Sequence, residues 1–103
     1  MTRVRWTFRA AEHLLQVREL KYRLQIVRAV RGLRVFPRQG RVPPEVRRYA
    51  DLRIPVELRE IIFPRLARLF YRYDETHDVV YFLGMAFRGE QVTLERLNRL
   101  PRD

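Results

Sequence analysis

The chain has 103 residues, enough for one domain over 1–103 that buries roughly two-thirds of the surface its unfolded form exposes, so a core needs neither metal nor crosslink. Cysteine is absent, which excludes disulfides and thiolate metal sites and fits a reducing compartment. The formal net charge of +10, from 22 Lys+Arg against 12 Asp+Glu, points to an anionic partner: nucleic acid, an anionic membrane surface or an acidic protein segment.

No apolar run precedes a small-residue cleavage site, because Arg3, Arg5 and Arg9 interrupt the first ten residues. No stretch reaches the roughly 18 apolar residues of a membrane span, so the expected location is the cytoplasm, with no membrane partner. Residues 2–8 alternate: Val4, Trp6 and Phe8 face one way, and Arg3, Arg5 and Thr7 the other. That pattern predicts a half-buried strand.

From Arg9 to Leu33 the period is helical. Ala11, Leu14, Leu15 and Val17 form a short stripe, and Tyr22, Ile26, Ala29, Val30 and Leu33 a longer one. Leu20, Leu24 and Val27 lie on another side, an apolar width that suits a helix packed between a sheet and a second helix. No Gly or Pro interrupts Arg18–Lys21; a break there, giving a helical hairpin, is the preferred reading, and Gly32 and Pro37 mark the end. Residues 37–50 hold three of the six prolines and predict an irregular connection with a short helical turn at 44–49.

The second half reads as β. Strands are predicted at 56–63, with Pro55 barring its start from a sheet centre, at 66–73, and at 79–87. The last is apolar on both faces and suits the middle of the sheet, and the polar turn 74–78 makes 66–87 a hairpin. Thr93 can cap a short helix carrying Leu94, Leu97 and Leu100, with Pro101 beyond it. The fold class is α+β: an N-terminal strand, a helical hairpin, then a three-stranded antiparallel segment completing one curved sheet.

Strict alternation groups Leu69, Tyr71 and Tyr73 on one face and Arg68, Phe70 and Arg72 on the other. It likewise sets Val79, Tyr81, Leu83, Met85 and Phe87 against Val80, Phe82, Gly84, Ala86 and Arg88. The bulky sets belong under the helices. The opposite face then has a shallow floor at Gly84 and Ala86, an aromatic at Phe70 or Phe82, and guanidinium groups at Arg68, Arg72 and Arg88. Such a face can cradle an RNA backbone with a base stacked on it, or it can be a solvated face whose arginines lie over apolar neighbours. Lys21 is the only lysine; a GC-rich coding sequence accounts for arginine over lysine, but not for the net excess. Arginine also suits phosphate, because its planar fork donates bidentately.

His13, amid apolar positions, reads as a partly buried structural histidine, and His77, in an acidic turn, as exposed. They have no spaced carboxylate or cysteine partners, so no metal site and no cofactor is expected. Tyr71 and Tyr73 read as core, and Glu57 and Glu60 as partners of arginines across the sheet. No phosphate-binding loop, nucleophile elbow or recognisably spaced pair of carboxylates is present.

The element order and three motifs resemble the RelE/ParE superfamily of type II toxins. They are a helical hairpin opening Phe8-Arg9-Ala10-Ala11-Glu12, the segment Phe36-Pro37-Arg38-Gln39-Gly40-Arg41, and the strand Ala67-Arg68-Leu69-Phe70-Tyr71-Arg72-Tyr73-Asp74, with a closing apolar strand ending in Arg88. The resemblance spans roughly residues 3–89. It implies a growth-arresting toxin, of the kind found in plasmid stabilisation systems, held silent in a hetero-oligomer with a cognate antitoxin. RelE-like members cut mRNA on the ribosome; ParE-like members inhibit DNA gyrase without being nucleases. By this resemblance Arg59, Arg68 and Arg88 are the expected catalytic residues, with Arg72, Phe70 and Phe82 on the RNA. Two features depart from the nucleases: Ala67 replaces an aromatic before Arg68, and 88–103 contains no histidine or tyrosine. The Phe36–Arg41 segment is closer to ParE-like members. A non-toxic basic nucleic-acid-binding module is the third reading.

Overall fold

The computed structural model describes residues 1–48, 58–93, 96 and 97. Strand β1 (Arg3–Trp6) is followed by helices α1 (Phe8–Gln16), α2 (Leu20–Gly32) and α3 (Pro44–Arg48), then by strands β2 (Leu58–Phe63), β3 (Ala67–Asp74) and β4 (Val79–Phe87). The four strands make one sheet in the order β1-β4-β3-β2, with β1 parallel to β4 and the rest antiparallel. The strand apolar on both faces is thus an inner one. The predicted beginning of β2 at 56–57, Glu57 with its pairing, and Leu94, Leu100 and Pro101 lie outside the described residues.

Thr7 converts strand into helix. Its N–H still bonds Phe82 O as part of the β1–β4 ladder, at 3.0 Å, while its hydroxyl accepts from Ala10 N–H at 3.2 Å and caps α1. Phe8 therefore starts the helix, 81% exposed, instead of continuing the alternation of β1. The break between the helices falls at residues 17–19 without Gly or Pro. Val17 and Glu19 have extended backbones, and the Arg23 guanidinium reaches back from α2 to donate to Val17 O and, at 3.0 Å, to Leu15 O. A charged donor on the last carbonyls of α1 makes the stop favourable.

Ala10, Val17, Ile26 and Val30 pack on Ala67, Leu69, Phe82 and Met85, with Trp6 stacked at a tilt on Phe82, ring centroids 4.7 Å apart. Leu33, Tyr71, Tyr73 and Val80 extend this core, as expected for the two tyrosines. The stripe Leu20, Leu24 and Val27, expected to meet a second neighbour, is instead exposed. The opposite face is covered too: Leu58, Phe70, Leu83 and Ala86 are buried beneath Leu97, with Val46 of α3 and Val92 beside them. Thr93 Oγ1 accepts from Arg96 N–H at 3.1 Å, the bond expected of a capping residue.

A bulge in β4 corrects the alternation predicted for that strand. Phe70 pairs with Gly84 but Tyr71 pairs with Phe82, so Leu83 is the extra residue. The parity before it is inverted: Phe82 and Val80 turn under the helices, and Tyr81 and Leu83 turn to the arginine face. Here β1 has already ended, and α1 supplies partners for the exposed edge of β4. Thr7 Oγ1 donates to Leu83 O at 3.2 Å, and His13 Nδ1 accepts from Met85 N–H at 2.9 Å.

Candidate functional site

Glu60 is the feature from which the site grows. Its position on β2 alternates with Leu58 and Ile62, which places its side chain on the face away from α1 and α2, where it is fully buried. A carboxylate there needs compensating charge. Arg41 Nε donates to Oε1 at 2.8 Å, and Arg68 Nε donates to Oε2 at 2.6 Å. The backbone reinforces this arrangement, because Arg41 and Glu60 exchange N–H···O bonds of 3.0 and 2.7 Å. The close approach requires glycine next door: a Cβ on Gly40 would stand 2.6 Å from Glu60 O and 2.7 Å from the Tyr71 ring.

Arg68 has a second partner. Its Nη2 donates to both oxygens of Glu45 on α3, at 2.6 and 3.0 Å, and its Cζ lies 5.2 Å from the Phe70 ring centre. Nη1 makes no hydrogen bond among the described residues. Burial disfavours the guanidinium's charge, but bonds from Glu45 and Glu60 outweigh it and raise its pKa. For Glu45, burial pushes upward while the bond and charge of Arg68 pull harder, leaving its carboxyl below the usual range. The buried carboxylate fixes the guanidinium, and the half-buried one contacts it from the solvent side.

Beyond Arg68 opens a groove of about 220 Å³ lined by Arg65, Arg68, Ala86, Arg88 and Glu90 among others. Arg88 follows Ala86 on the same parity, diagonal to Arg68, and its N–H bonds Leu66 O at 2.9 Å. The side chains of Arg65 and Arg88 are exposed and form no ion pair or hydrogen bond among the described residues. Arg65 holds a left-handed φ of 67° in the β2–β3 turn. The groove therefore offers two free guanidinium groups and the unbonded edge of a third.

The other expected site residues do not join them. Arg59 shares the parity of Ile61 and Phe63 and points to the helix side, where its Nη1 donates to Gly40 O at 2.8 Å. It belongs to the Arg38–Gly40 loop and stands across the sheet from Arg68. Phe82 is buried under Trp6 because of the bulge, and Phe70 is buried beneath Leu97; neither presents a ring to solvent. Arg72 does lie on the arginine face, its Cζ 4.6 Å from the Tyr81 ring centre. His13 is half-buried and His77 exposed, bonded to Asp74 Oδ2 at 2.8 Å. Among the described residues no group of three or more His, Cys, Asp or Glu could hold a metal, and no helix is long and apolar enough to cross a membrane.

Glu45 and Arg65 are the residues that sequence reasoning missed. Glu45 occupies the short helix of a proline-rich segment, and nothing in its spacing links it to Arg68, 23 residues away. Arg65 follows Pro64 in a tight turn, one arginine among many.

No protein-family model and no curated protein sequence matches the chain. Solved structures share its architecture, two RelE-type chains among them. The isolated RelE toxin of E. coli superposes with a TM-score of 0.65 at 14% identity, over 88% of each chain. A chain of the RelBE2 toxin–antitoxin complex of Mycobacterium tuberculosis does so with a TM-score of 0.64 at 21% identity, over 84% of this chain and 98% of that one. The chain has the fold of the RelE toxins.

Proposed function

We propose that this chain is the toxin of a toxin–antitoxin pair, acting as a ribosome-dependent mRNA endonuclease in the cytoplasm and silenced by a cognate antitoxin. The observation that carries this reading is the meeting of Arg68 and Arg88 at one groove on a RelE-type sheet, with the Glu45 carboxylate bonded to Arg68.

The chemistry is an in-line attack. The ribose 2′-oxygen bonds to the adjacent phosphorus, the bond from phosphorus to the 5′-oxygen breaks, and negative charge grows on the phosphorane oxygens. Arg68 Nη1 and Arg88 are placed to take that charge, which guanidinium does well. Arginine is a poor base, since its pKa exceeds 12. Glu45 fills that gap as acceptor of the 2′-hydroxyl proton. It is ionised at rest, and when Arg68 turns its charge to the phosphate, Glu45 loses part of the interaction that holds its pKa down. The proton then passes through solvent to the departing 5′-oxygen. Glu60 stays behind Arg68 and touches no substrate.

The test is expression of the chain alone, with mRNA ends mapped within translated codons. Arg68→Ala should abolish cleavage and growth arrest, although it also takes a partner from the buried Glu60; Arg88→Ala, at an exposed side chain, should weaken both with the fold and antitoxin binding intact, and Glu45→Gln should slow cleavage at least 100-fold, the scale of a lost general base. Toxicity undiminished in Arg68→Ala would overturn the site. A gyrase-inhibiting toxin is the second reading. It is favoured by the absence of His and Tyr from 88–103 and by the two carboxylates already on Arg68. It requires intact mRNA, a DNA-damage response and indifference to Glu45→Gln.

A further inference from the structure

The groove beside Arg68 ends at a turn whose backbone and side chain make opposite demands. Phe63–Leu66 joins β2 to β3 and is closed by the Leu66 N–H on Phe63 O, at 3.1 Å. Pro64 is its second residue and Arg65 its third, with a φ of 67°. Proline suits the second position of a type II turn, and the left-handed third position favours glycine or asparagine, because a Cβ there crowds the neighbouring carbonyl. Local turn chemistry therefore calls for a small residue where the chain carries its longest cation.

Among the described residues, Asp78 is the other non-glycine with a positive φ, of 53°. Its reason lies within the fold, since its carboxylate accepts from the Thr2 and Tyr73 hydroxyls at 2.6 and 2.8 Å. Arg65 has no such reason. Its side chain is exposed and makes no ion pair or hydrogen bond among the described residues. Glu90 is the carboxylate on the groove's lining, and both its oxygens are engaged: Oε1 accepts from Phe87 N–H at 2.7 Å and Oε2 from the Arg96 guanidinium at 3.2 Å. A side chain kept in a costly conformation without an internal partner points to a ligand from outside.

The position of Arg65 says which part of that ligand it meets. Arg88 N–H bonds Leu66 O, so Arg88 stands across the ladder between Arg68 and Arg65. Arg65 and Arg68 are three residues apart, so at most about 11 Å of extended chain separates their Cα atoms. Arg68 and Arg88 face the phosphate that is cut, and Arg65 lies one step farther along the same groove. A lone phosphate held by the first two would leave Arg65 idle, whereas a phosphodiester chain brings a second phosphate past it.

We propose that Arg65 binds the phosphate adjoining the scissile one, and that the turn keeps its left-handed arginine for that contact. The assignment rests on the nuclease reading above and deepens it. Arg65 holds the strand and takes no part in the bond changes.

The experiment measures cleavage of a short mRNA on programmed ribosomes by the parent chain, by Arg65→Gly and by Arg65→Lys, with a urea midpoint for each. Arg65→Gly suits the turn and removes the charge. Its KM should rise about tenfold, the scale of one charge-assisted hydrogen bond, with kcat unchanged. Its urea midpoint should hold or rise, and Arg65→Lys should recover most of the KM. Two further mRNAs carry a neutral methylphosphonate linkage immediately 5′ or 3′ of the cut. One of them should raise the parent's KM by about the same factor and have no further effect on Arg65→Gly, as groups in direct contact require. A parent chain that leaves mRNA intact would overturn the nuclease reading and this proposal with it. Parent cleavage with an unchanged KM in Arg65→Gly would overturn this proposal alone. So would a lower urea midpoint in that variant, which would make the residue structural, or equal losses from the neutral linkages in both chains.

Discussion

At the scale of single residues, two titratable side chains carry more weight than their neighbours. Glu60 is a buried carboxylate between two arginines. Glu60→Ala removes two charge-assisted hydrogen bonds, leaving Arg68 on Glu45 and Arg41 in solvent, and should cost about 1.5–3 kcal/mol in urea unfolding. A cost below about 1 kcal/mol would mean that Arg41 and Arg68 find other partners. His13 accepts the Met85 N–H through Nδ1 and must be neutral on that nitrogen to do so. Burial first, then the charges of Arg9 and Arg96, hold its pKa below the ordinary 6.5. The unfolded chain therefore takes up this proton more readily than the folded one. The stabilisation is complete above the unfolded value and is lost as pH falls through the lower folded value. The urea midpoint should drop between about pH 7.5 and 5.5, and His13→Gln, which retains an acceptor, should flatten that slope. A wild-type midpoint constant over this range would contradict the assignment.

At the scale of elements, the β4 bulge is the device that links sheet and helix. Gly84 sits at φ 151°, a conformation that L side chains rarely adopt, and a Cβ there would lie 2.9 Å from His13 Nδ1. Gly84→Ala combines backbone strain with displacement of the Met85 partner and should cost about 1–3 kcal/mol. The loss should shrink in a His13→Ala background, a coupling that a double-mutant cycle reads directly. The α1–α2 break is legible in the sequence only as a preference, because its cause is Arg23 reaching the carbonyls of Val17 and Leu15, an interaction with no signature in local spacing. The β strands are easier: their period of two and the turn at 74–78 place all four within two residues at each described end.

At the scale of the whole molecule, two arginine-bearing faces of this chain of net charge +10 have different neighbours. Around Arg68 the arginines stand among carboxylates and a buried core; along β1 and α2 they stand free beside exposed aliphatic residues. Affinity for single-stranded RNA should fall steeply with salt. Arg65→Gln/Arg88→Gln should reduce the log–log slope by about 1.4, or roughly 0.7 for each phosphate no longer neutralised. Arg31→Gln should leave that slope unchanged, and an equal reduction would show that RNA reads the overall charge and no particular groove.

The amino-acid sequence alone determined the α+β class, the order of elements, the inner position of the strand at 79–87 and the presence of a basic sheet face, because periodicity, turn chemistry and charge are local properties. Tertiary structure decided which residues meet. Alternation holds only while the ladder is unbroken, so one extra residue at Leu83 sent Phe82 beneath the helices. Parity within β2 turned Arg59 to the helix side and Glu60 to the arginine face. Glu45 reached Arg68 across 23 residues through the placement of α3, and Leu97 closed the floor expected to be open. The sequence held the arginines, and the fold decided which carboxylates they meet and which of them remain free.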